Sequence, residues 1–265
     1  MTKIIGILNL TLDSFSDGGM YYDLESAKSH IHEMIQKGAD VIDIGAESTR
    51  SGFSDVDEKS QIKTLKPIID FINHNYETEI SIDTRSSHVI EFFEDANIAF
   101  INDVSSGLHD YQMLSRVATM DCNFIMTHMP DEHKKGTIKK YNNILDELKY
   151  FFNERIDSCI KSGIQIDKII IDPGIGFGKS SNDNLKILKN IDSLLKIHNN
   201  ICIGTSNKRY SSKLFNGVET KQDLKVANLA SFALSTFYGA TYLRVHDVDM
   251  TKDIILVIDK AKSLM

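Results

Sequence analysis

Gly38-Ala-Asp-Val-Ile-Asp-Ile-Gly-Ala-Glu-Ser-Thr-Arg50 sets the fold in one segment. A short apolar run, flanked by Gly, gives way abruptly to the polar cluster Glu47-Ser48-Thr49-Arg50. The same figure recurs along the chain. Short runs rich in Ile, Val and Phe occupy 3–10, 40–45, 79–84, 99–104, 123–128, 168–172, 201–204 and 241–246. They are apolar on both faces in places, which suits parallel strands covered on both sides. Between them lie amphipathic stretches. Ala27, Ile31, Met34 and Ile35 share one face, with Gly38 as C-cap. Ile62, Leu65, Ile69 and Ile72 share another, where Pro67 predicts a kink or a late start. Leu148, Phe152, Cys159 and Ile160 lie on a long helix ending near Gly163. Leu185, Leu188, Ile191 and Leu195 form the next, then Leu224, Ala227, Ala230, Leu234 and Tyr238, and last Ile254, Ile258 and Ala261. This alternation predicts an α/β fold, a (β/α)8 TIM barrel forming a single domain over residues 1–265. An open doubly wound sheet is the competing arrangement. Eight units with no excess residues favour closure.

Composition narrows the function. Lys+Arg total 30 against Asp+Glu 37, a formal net charge of −7, so a basic face that coats nucleic acid is not expected. An anionic small molecule is compatible, because a local field can oppose the net charge. No apolar run reaches the ~18–20 residues of a membrane span, and the N-terminal run is broken at Asn9, so neither membrane association nor a signal peptide is expected. Cys122, Cys159 and Cys202 are isolated, with no C-x-x-C, which predicts buried structural thiols and a cytoplasmic protein.

In such barrels chemistry sits at the C-terminal ends of the strands. Asn9, Glu47 to Arg50, Asp83 to Arg85, Asn102-Asp103, Thr127-His128, Asp172, Ser206 to Arg209, and Arg244 with His246 fall there. One polar strand end is an ordinary cap. One from every strand predicts a site. The cations suit phosphate or carboxylate, and Asp beside Asn suits a heterocycle offering N–H donors and ring acceptors. The long βα connections 11–22 and 46–57 predict mobile binding loops. The glycines of 174–179 are no Walker motif, since Pro173 stands where its first Gly belongs; tight loop geometry or close ligand approach explains them. His128 and His133 are five apart, not a helical metal pair, and no G-x-S-x-G elbow is present. His30 and His32 are expected at the surface, far from the rim.

Taken in order, Gly6-Ile-Leu-Asn-Leu-Thr-Leu-Asp-Ser-Phe-Ser-Asp-Gly-Gly19, the 38–50 segment, Ser81-Ile-Asp-Thr-Arg85, Ile101-Asn-Asp-Val104, Asp172-Pro-Gly-Ile-Gly-Phe-Gly-Lys179 and Arg244-Val-His-Asp-Val248 resemble the signatures of the dihydropteroate synthase family. The resemblance spans essentially the whole chain. It implies a transferase of folate biosynthesis that joins 6-hydroxymethyl-7,8-dihydropterin pyrophosphate to p-aminobenzoate, releasing pyrophosphate, and works as a homodimer. Asn9 would ligate Mg2+ carried by the pyrophosphate. Asp83, Asn102 and Asp172 would bond the pterin edge, Lys208 its oxo side, and Arg244 would stack on its ring. Arg50 and His246 would hold pyrophosphate. Phe15, Thr49, Ser51, Phe177 and Arg209 would form the p-aminobenzoate pocket, which sulfonamides enter in this family. Asp13 would stabilise a cationic intermediate or order its loop, joining Arg50, Lys208 and His246 as the catalytic set.

Five positions depart from the family pattern. Leu12 and Ser51 stand where Pro is usual, Ala46 replaces Gly, Asn207 replaces Arg, and Arg209 replaces Ser. Loss of Pro frees φ in both loops, and Arg209 offers a charge-assisted carboxylate contact, so altered sulfonamide affinity is expected. A pterin-dependent methyltransferase-type barrel and a non-catalytic pterin-binding paralogue are the alternative readings. The first signature, Arg50 and His246 speak against the former.

Overall fold

The computed structural model describes residues 2–10, 20–206, 208, 210 and 220–264. The strands are β1 Lys3–Asn9, β2 Val41–Gly45, β3 Glu79–Asp83, β4 Ile98–Asp103, β5 Asn123–Thr127, β6 Ile169–Asp172, β7 Cys202–Ile203 and β8 Tyr242–Val245. The helices are α1 Met20–Gln36, α2 Glu58–Asn75, α3 Ser87–Phe92, α4 Met113–Thr119, α5 Asp131–Lys134, α6 Ile144–Lys161, α7 Ser181–Lys189, α8 Ile191–Leu194, α9 Lys221–Phe237 and α10 Val248–Lys262. All strand pairs are parallel, in the order β6-β5-β4-β3-β2-β1-β8-β7. The two ends of that order meet: Ile171 pairs with Ile201 in an isolated parallel bridge, and the Ile171 N–H donates to the Asn200 carbonyl at 3.0 Å. The sheet is therefore a nearly closed barrel with flanking helices, not an open doubly wound layer.

Side chains alternate along each strand, and the barrel sorts them. Ile5, Val41, Phe100, Ile125, Ile170 and Cys202 cluster inside. Ile42 and Ile44 point outward and join Leu65, Ile69 and Ile72 of α2 in the larger shell between strands and helices. Each fully buried Ile of this kind contributes about 1.5–3 kcal/mol. Two residues beyond the interior apolar layer the same inward faces turn polar, with Asp43 after Val41, Asn102 after Phe100, Asp172 after Ile170 and Arg244 after Tyr242. The apolar floor thus positions a polar ring at the C-terminal mouth. The three cysteines are buried and free, as expected. Among the described residues no helix is long and apolar enough to cross a membrane.

Several sequence expectations need correction. α2 begins at Glu58, with Asp57 accepting the Ser60 N–H at 3.0 Å, and continues through Pro67. Pro67 and Lys63 are exposed, so water can reach the carbonyl that proline leaves unpaired. The helix expected over 185–195 is two pieces, α7 and α8, parted at Asn190. In α9 the buried residues are Ser231, Phe232, Ser235 and Thr236, while Ala230 and Leu234 of the expected apolar face are exposed. The hydroxyls bury without penalty because each donates within its own helix, Ser231 to Ala227 O, Ser235 to Ser231 O and Thr236 to Phe232 O. The first long connection is shorter than expected, since 20–22 belong to α1. The second, 46–57, is anchored instead of loose. Glu47 accepts from Arg85 Nη2 at 2.6 Å and from the Val56 N–H at 2.9 Å, and Asp55 accepts from Arg85 and Lys134 at 2.8 Å each. Phe53 lies under both cations, 4.9 Å from Arg85 and 5.3 Å from Lys134.

Candidate active site

The floor of the mouth is built around Arg244. Its Nε donates to Asp43 Oδ2 and its Nη2 to Asp83 Oδ2, each at 2.6 Å. Asn102 Nδ2 donates to the same Asp43 oxygen at 3.3 Å. Asp43 is fully buried, and its Oδ1, like Ser81 Oγ opposite it in the sheet, has no hydrogen-bond partner among the described residues. Burial works against the Arg244 charge, but Asp43 and Asp83 hold its pKa above the ordinary value. Burial pushes Asp83 up to about 7; Arg244 opposes this, and Asp43, Glu47 and Asp103 add to it. Sequence reasoning missed Asp43. Its signal was a carboxylate inside an otherwise apolar, two-sided buried strand.

The loop after β6 forms one wall. Asp172 Oδ1 accepts the Gly174 N–H at 2.7 Å, and burial raises the Asp172 pKa against the pull of Lys208. The Lys208 ammonium sits 3.9 Å from the centroid of the Phe177 ring. Burial lowers Lys208 to about 8, with Asp172 opposing and Arg244 assisting. Gly176, at φ +82°, makes room for it, because a Cβ there would lie 2.7 Å from Lys208 Cδ. Lys179 is buried behind this wall. Its ammonium donates to the carbonyls of His128 and Gly174 at 2.8 Å and of Phe177 at 3.2 Å, so every N–H is used. Tight loop geometry is thus what these glycines serve: Gly174 at φ +67° would place a Cβ 2.2 Å from His128 O.

Asn9 and Arg50 are exposed at the mouth, with Thr49 and His246 half-buried. Asn9 aligns with Gly45 in the β1–β2 register. Burial lowers His246 to about 4, and the charges of Arg244, His30, Arg50 and Lys208 push the same way. Arg50 and His246 therefore share one field, and His30, expected far from the rim, reaches it. His246 Nδ1 has no partner among the described residues. Thr49 and Ser51 meet His133, a contact sequence reasoning did not foresee. Ser51 Oγ donates to His133 O at 3.4 Å, and the His133 ring bonds Thr49 O at 2.9 Å.

The structure thus brings Asp83, Asn102 and Arg244 into direct contact through Asp43, and stacks Lys208 on Phe177 beside Asp172. Asp13, Phe15 and Arg209, with Leu12 and Asn207, lie outside the described residues. Among the described residues no group of three or more His, Cys, Asp or Glu side chains could hold a metal ion. The arrangement offers carboxylates and an amide to N–H donors, a flat cation over a planar ring, and fixed cations to an anion.

The family described as pterin binding enzyme matches residues 5–246. A dihydropteroate synthase of Streptococcus pyogenes is 35% identical over 257 residues, 97% of this chain and 94% of that protein. The Yersinia pestis dihydropteroate synthase, solved with a sulfonamide drug, superposes with TM-score 0.90 at 30% identity, covering 99% of this chain and 94% of that one. The Xanthomonas albilineans enzyme with 4-aminobenzoic acid gives 0.90 at 32% identity, covering 99% and 93%. With the barrel and the Arg244 cluster at its mouth, these likenesses make the chain a member of the dihydropteroate synthase family of pterin-binding enzymes.

Proposed function

We propose that this chain is a transferase that condenses 6-hydroxymethyl-7,8-dihydropterin pyrophosphate with p-aminobenzoate, forming 7,8-dihydropteroate and pyrophosphate in folate biosynthesis. The carrying observation is the buried cluster of Asp43, Asp83, Asn102 and Arg244 facing Asp172 and Lys208. It matches a flat heterocycle with N–H donors on one edge and an oxo group beside them. Asp83, Asn102 and Asp172 take the pterin edge, Lys208 its oxo side, and Arg244 lies against its face. A carboxylate that accepts two ligand N–H groups discriminates strongly against analogues lacking them.

Breaking the C–O bond leaves positive charge on the pterin methylene and negative charge on the departing pyrophosphate. Arg50 supplies a permanent cation for that charge. His246, held near 4, enters the reaction neutral; the polyanion favours its protonation. The neutral arylamine then attacks and needs no strong base. Thr49, Ser51 and Phe177 line its pocket, with Phe15 and Arg209 assigned there from the family pattern. Asp13 belongs to the same set, ordering its loop or steadying the cation. The anchored 46–57 loop helps exclude water that would otherwise capture the cation. The Asn9 amide oxygen, exposed at the end of β1, suits a hard cation whose other ligands are phosphate oxygens and water. Mg2+ held there would neutralise charge on the leaving group.

The protein acts in the cytoplasm as a homodimer. The exposed apolar surface of α9 and α10, including Leu234, Phe237, Leu256 and Val257, is the face we assign to the partner protomer. Ser51, where the family has Pro, leads us to expect sulfonamide affinity different from that of relatives; equal inhibition of the protein and a Ser51→Pro, Arg209→Ser variant would count against it.

The deciding experiment gives purified protein dihydropterin pyrophosphate and Mg2+, with and without p-aminobenzoate, and follows pyrophosphate release and product mass. Release that requires p-aminobenzoate, with dihydropteroate formed, supports the reading. Pterin binding without release from folded protein would instead make this a binding paralogue.

A further inference from the structure

His133 sits on α5, a short helix that follows β5, and only 6% of it is exposed. It takes no part in the reaction outlined above. Its ring joins two loops that leave opposite sides of the barrel, because β2 and β6 stand four strands apart either way round the closed ring. The Gly178 N–H donates to Nδ1 at 3.2 Å, and Nε2 lies 2.9 Å from the Thr49 carbonyl. The first bond requires a lone pair on Nδ1 and the second a proton on Nε2. Both form together only in the neutral Nε2–H tautomer. Burial, assisted by Lys208 and Lys179, holds the His133 pKa below its ordinary value, which keeps that form at neutral pH.

The backbone and ring face strengthen the link. The His133 carbonyl accepts Ser51 Oγ–H and the Gly52 N–H, each at 3.4 Å. The ring packs edge-on against Phe177 with centroids 4.7 Å apart, and Phe177 carries the Lys208 ammonium on its own face. Gly178, at φ +55°, lets the backbone close up: a Cβ there would lie 3.1 Å from His133 N. Thr49 and the Phe177 loop are therefore fixed relative to one another through one imidazole, and Ser51 through the carbonyl of the same residue. No direct hydrogen bond joins those two loops among the described residues.

We propose that His133 is a positioning residue for the arylamine, a clasp that sets the separation of the 46–57 loop and the Phe177 loop and so the shape of the p-aminobenzoate pocket. This rests on the reading that these two loops line that pocket. The pterin is gripped deeper, by Arg244, Asp83, Asn102 and Asp172, which His133 does not touch, and by Lys208, which His133 reaches only by way of the Phe177 ring. The clasp should thus act on one substrate and spare the other.

The test compares the full-length protein with His133→Ala, His133→Asn and His133→Gln, measuring KM for each substrate at saturation of the other, with a thermal melt for each. Asn can keep an acceptor for Gly178, and Gln a donor for Thr49. We expect the Ala variant to raise KM for p-aminobenzoate about tenfold, as loss of two modest hydrogen bonds implies, while KM for the pterin pyrophosphate stays within about twofold. The Asn and Gln variants should fall between. Imidazole nitrogen shifts in the intact protein should report the Nε2–H tautomer. Equal change in both KM values, no change in either, or an Nδ1–H ring would overturn the proposal. Failure of the parent protein to form dihydropteroate would instead overturn the reaction on which it rests.

Discussion

Asp83 is an acid whose surroundings disfavour its charge, although a guanidinium touches it. With a folded pKa of about 7, it becomes protonated as pH falls through neutrality. The ionised form is the one that accepts N–H donors. Affinity for the pterin should therefore fall about tenfold per pH unit below that value, read by fluorescence titration of pterin binding from pH 5 to 8. Asp83→Asn should weaken binding throughout and flatten the acid limb. Asp43 holds Arg244 and Asn102 from beneath. Asp43→Ala leaves the buried guanidinium with Asp83 alone, and should destabilise the fold by about 3–5 kcal/mol in denaturant titration. These residues were unequally legible. Asp83, Asn102, Asp172 and Arg244 stand near strand ends, where barrel chemistry is sought. Asp43 is flanked by Ile42 and Ile44, and its inward direction becomes plain only once Val41 is known to face the interior. His133 was opaque for another reason: its partners, Thr49 and Gly178, belong to distant units of the chain.

At the level of elements, the loop after β6 is the most constrained part of the mouth. Gly174→Ala would add the strain of a left-handed backbone, about 1–2 kcal/mol, to a collision with a backbone carbonyl that cannot yield easily. A large loss of melting temperature is expected. Gly176→Ala carries similar backbone strain, but its collision is with the flexible Lys208 side chain. It should lower kcat more than it lowers stability, because Lys208 leaves Phe177; parallel melts and steady-state kinetics distinguish the two. Strands were readable because each is a short Ile- and Val-rich run ended by polar residues. α9 was misread because its Ser and Thr hydroxyls satisfy themselves on the preceding turn. A helix can then bury small polar residues and leave Ala230 and Leu234 outside. The tethering of 46–57 was hidden likewise, since Glu47 and Arg85 look like two rim charges until they pair.

For the whole molecule, that exposed face of α9 and α10 carries a prediction. If that face joins two protomers as proposed, Leu234→Glu with Val257→Glu should give a monomer in sedimentation where the parent protein gives a dimer, leaving each barrel folded. A second concerns acid. His128, His133 and His246 all have pKa values lowered by burial, His246 to about 4. The unfolded chain takes up these protons near pH 6.5, whereas the folded chain resists them. Their contribution is thus present above pH 6.5 and is lost as pH falls toward 4. Asp83 works the other way, its raised pKa favouring the folded state at low pH and losing that contribution as pH rises through about 7. Burial raises Asp103 and Asp172 as well, so three carboxylates oppose the three histidines, and the histidine drop in melting temperature between pH 6.5 and 4 is read against a variant. His246→Gln should shallow that drop. The barrel itself was legible from eight repeated units, since only closure gives a chain of this length no edge strand to protect.

The barrel is closed unevenly. β7 has two residues, and the joint between β6 and β7 rests on the Ile171–Ile201 bridge, far less than the ladders elsewhere. Deuterium should therefore enter the amides of 201–203 sooner than those of β2 or β3, as local opening follows the weakest pairing. Asp172 closes one side of this joint, and Lys208 follows the other. A heterocycle held by both would supply the rung that the backbone omits. Uptake at 201–203 should accordingly slow when pterin is added, so that the substrate finishes the cylinder that receives it.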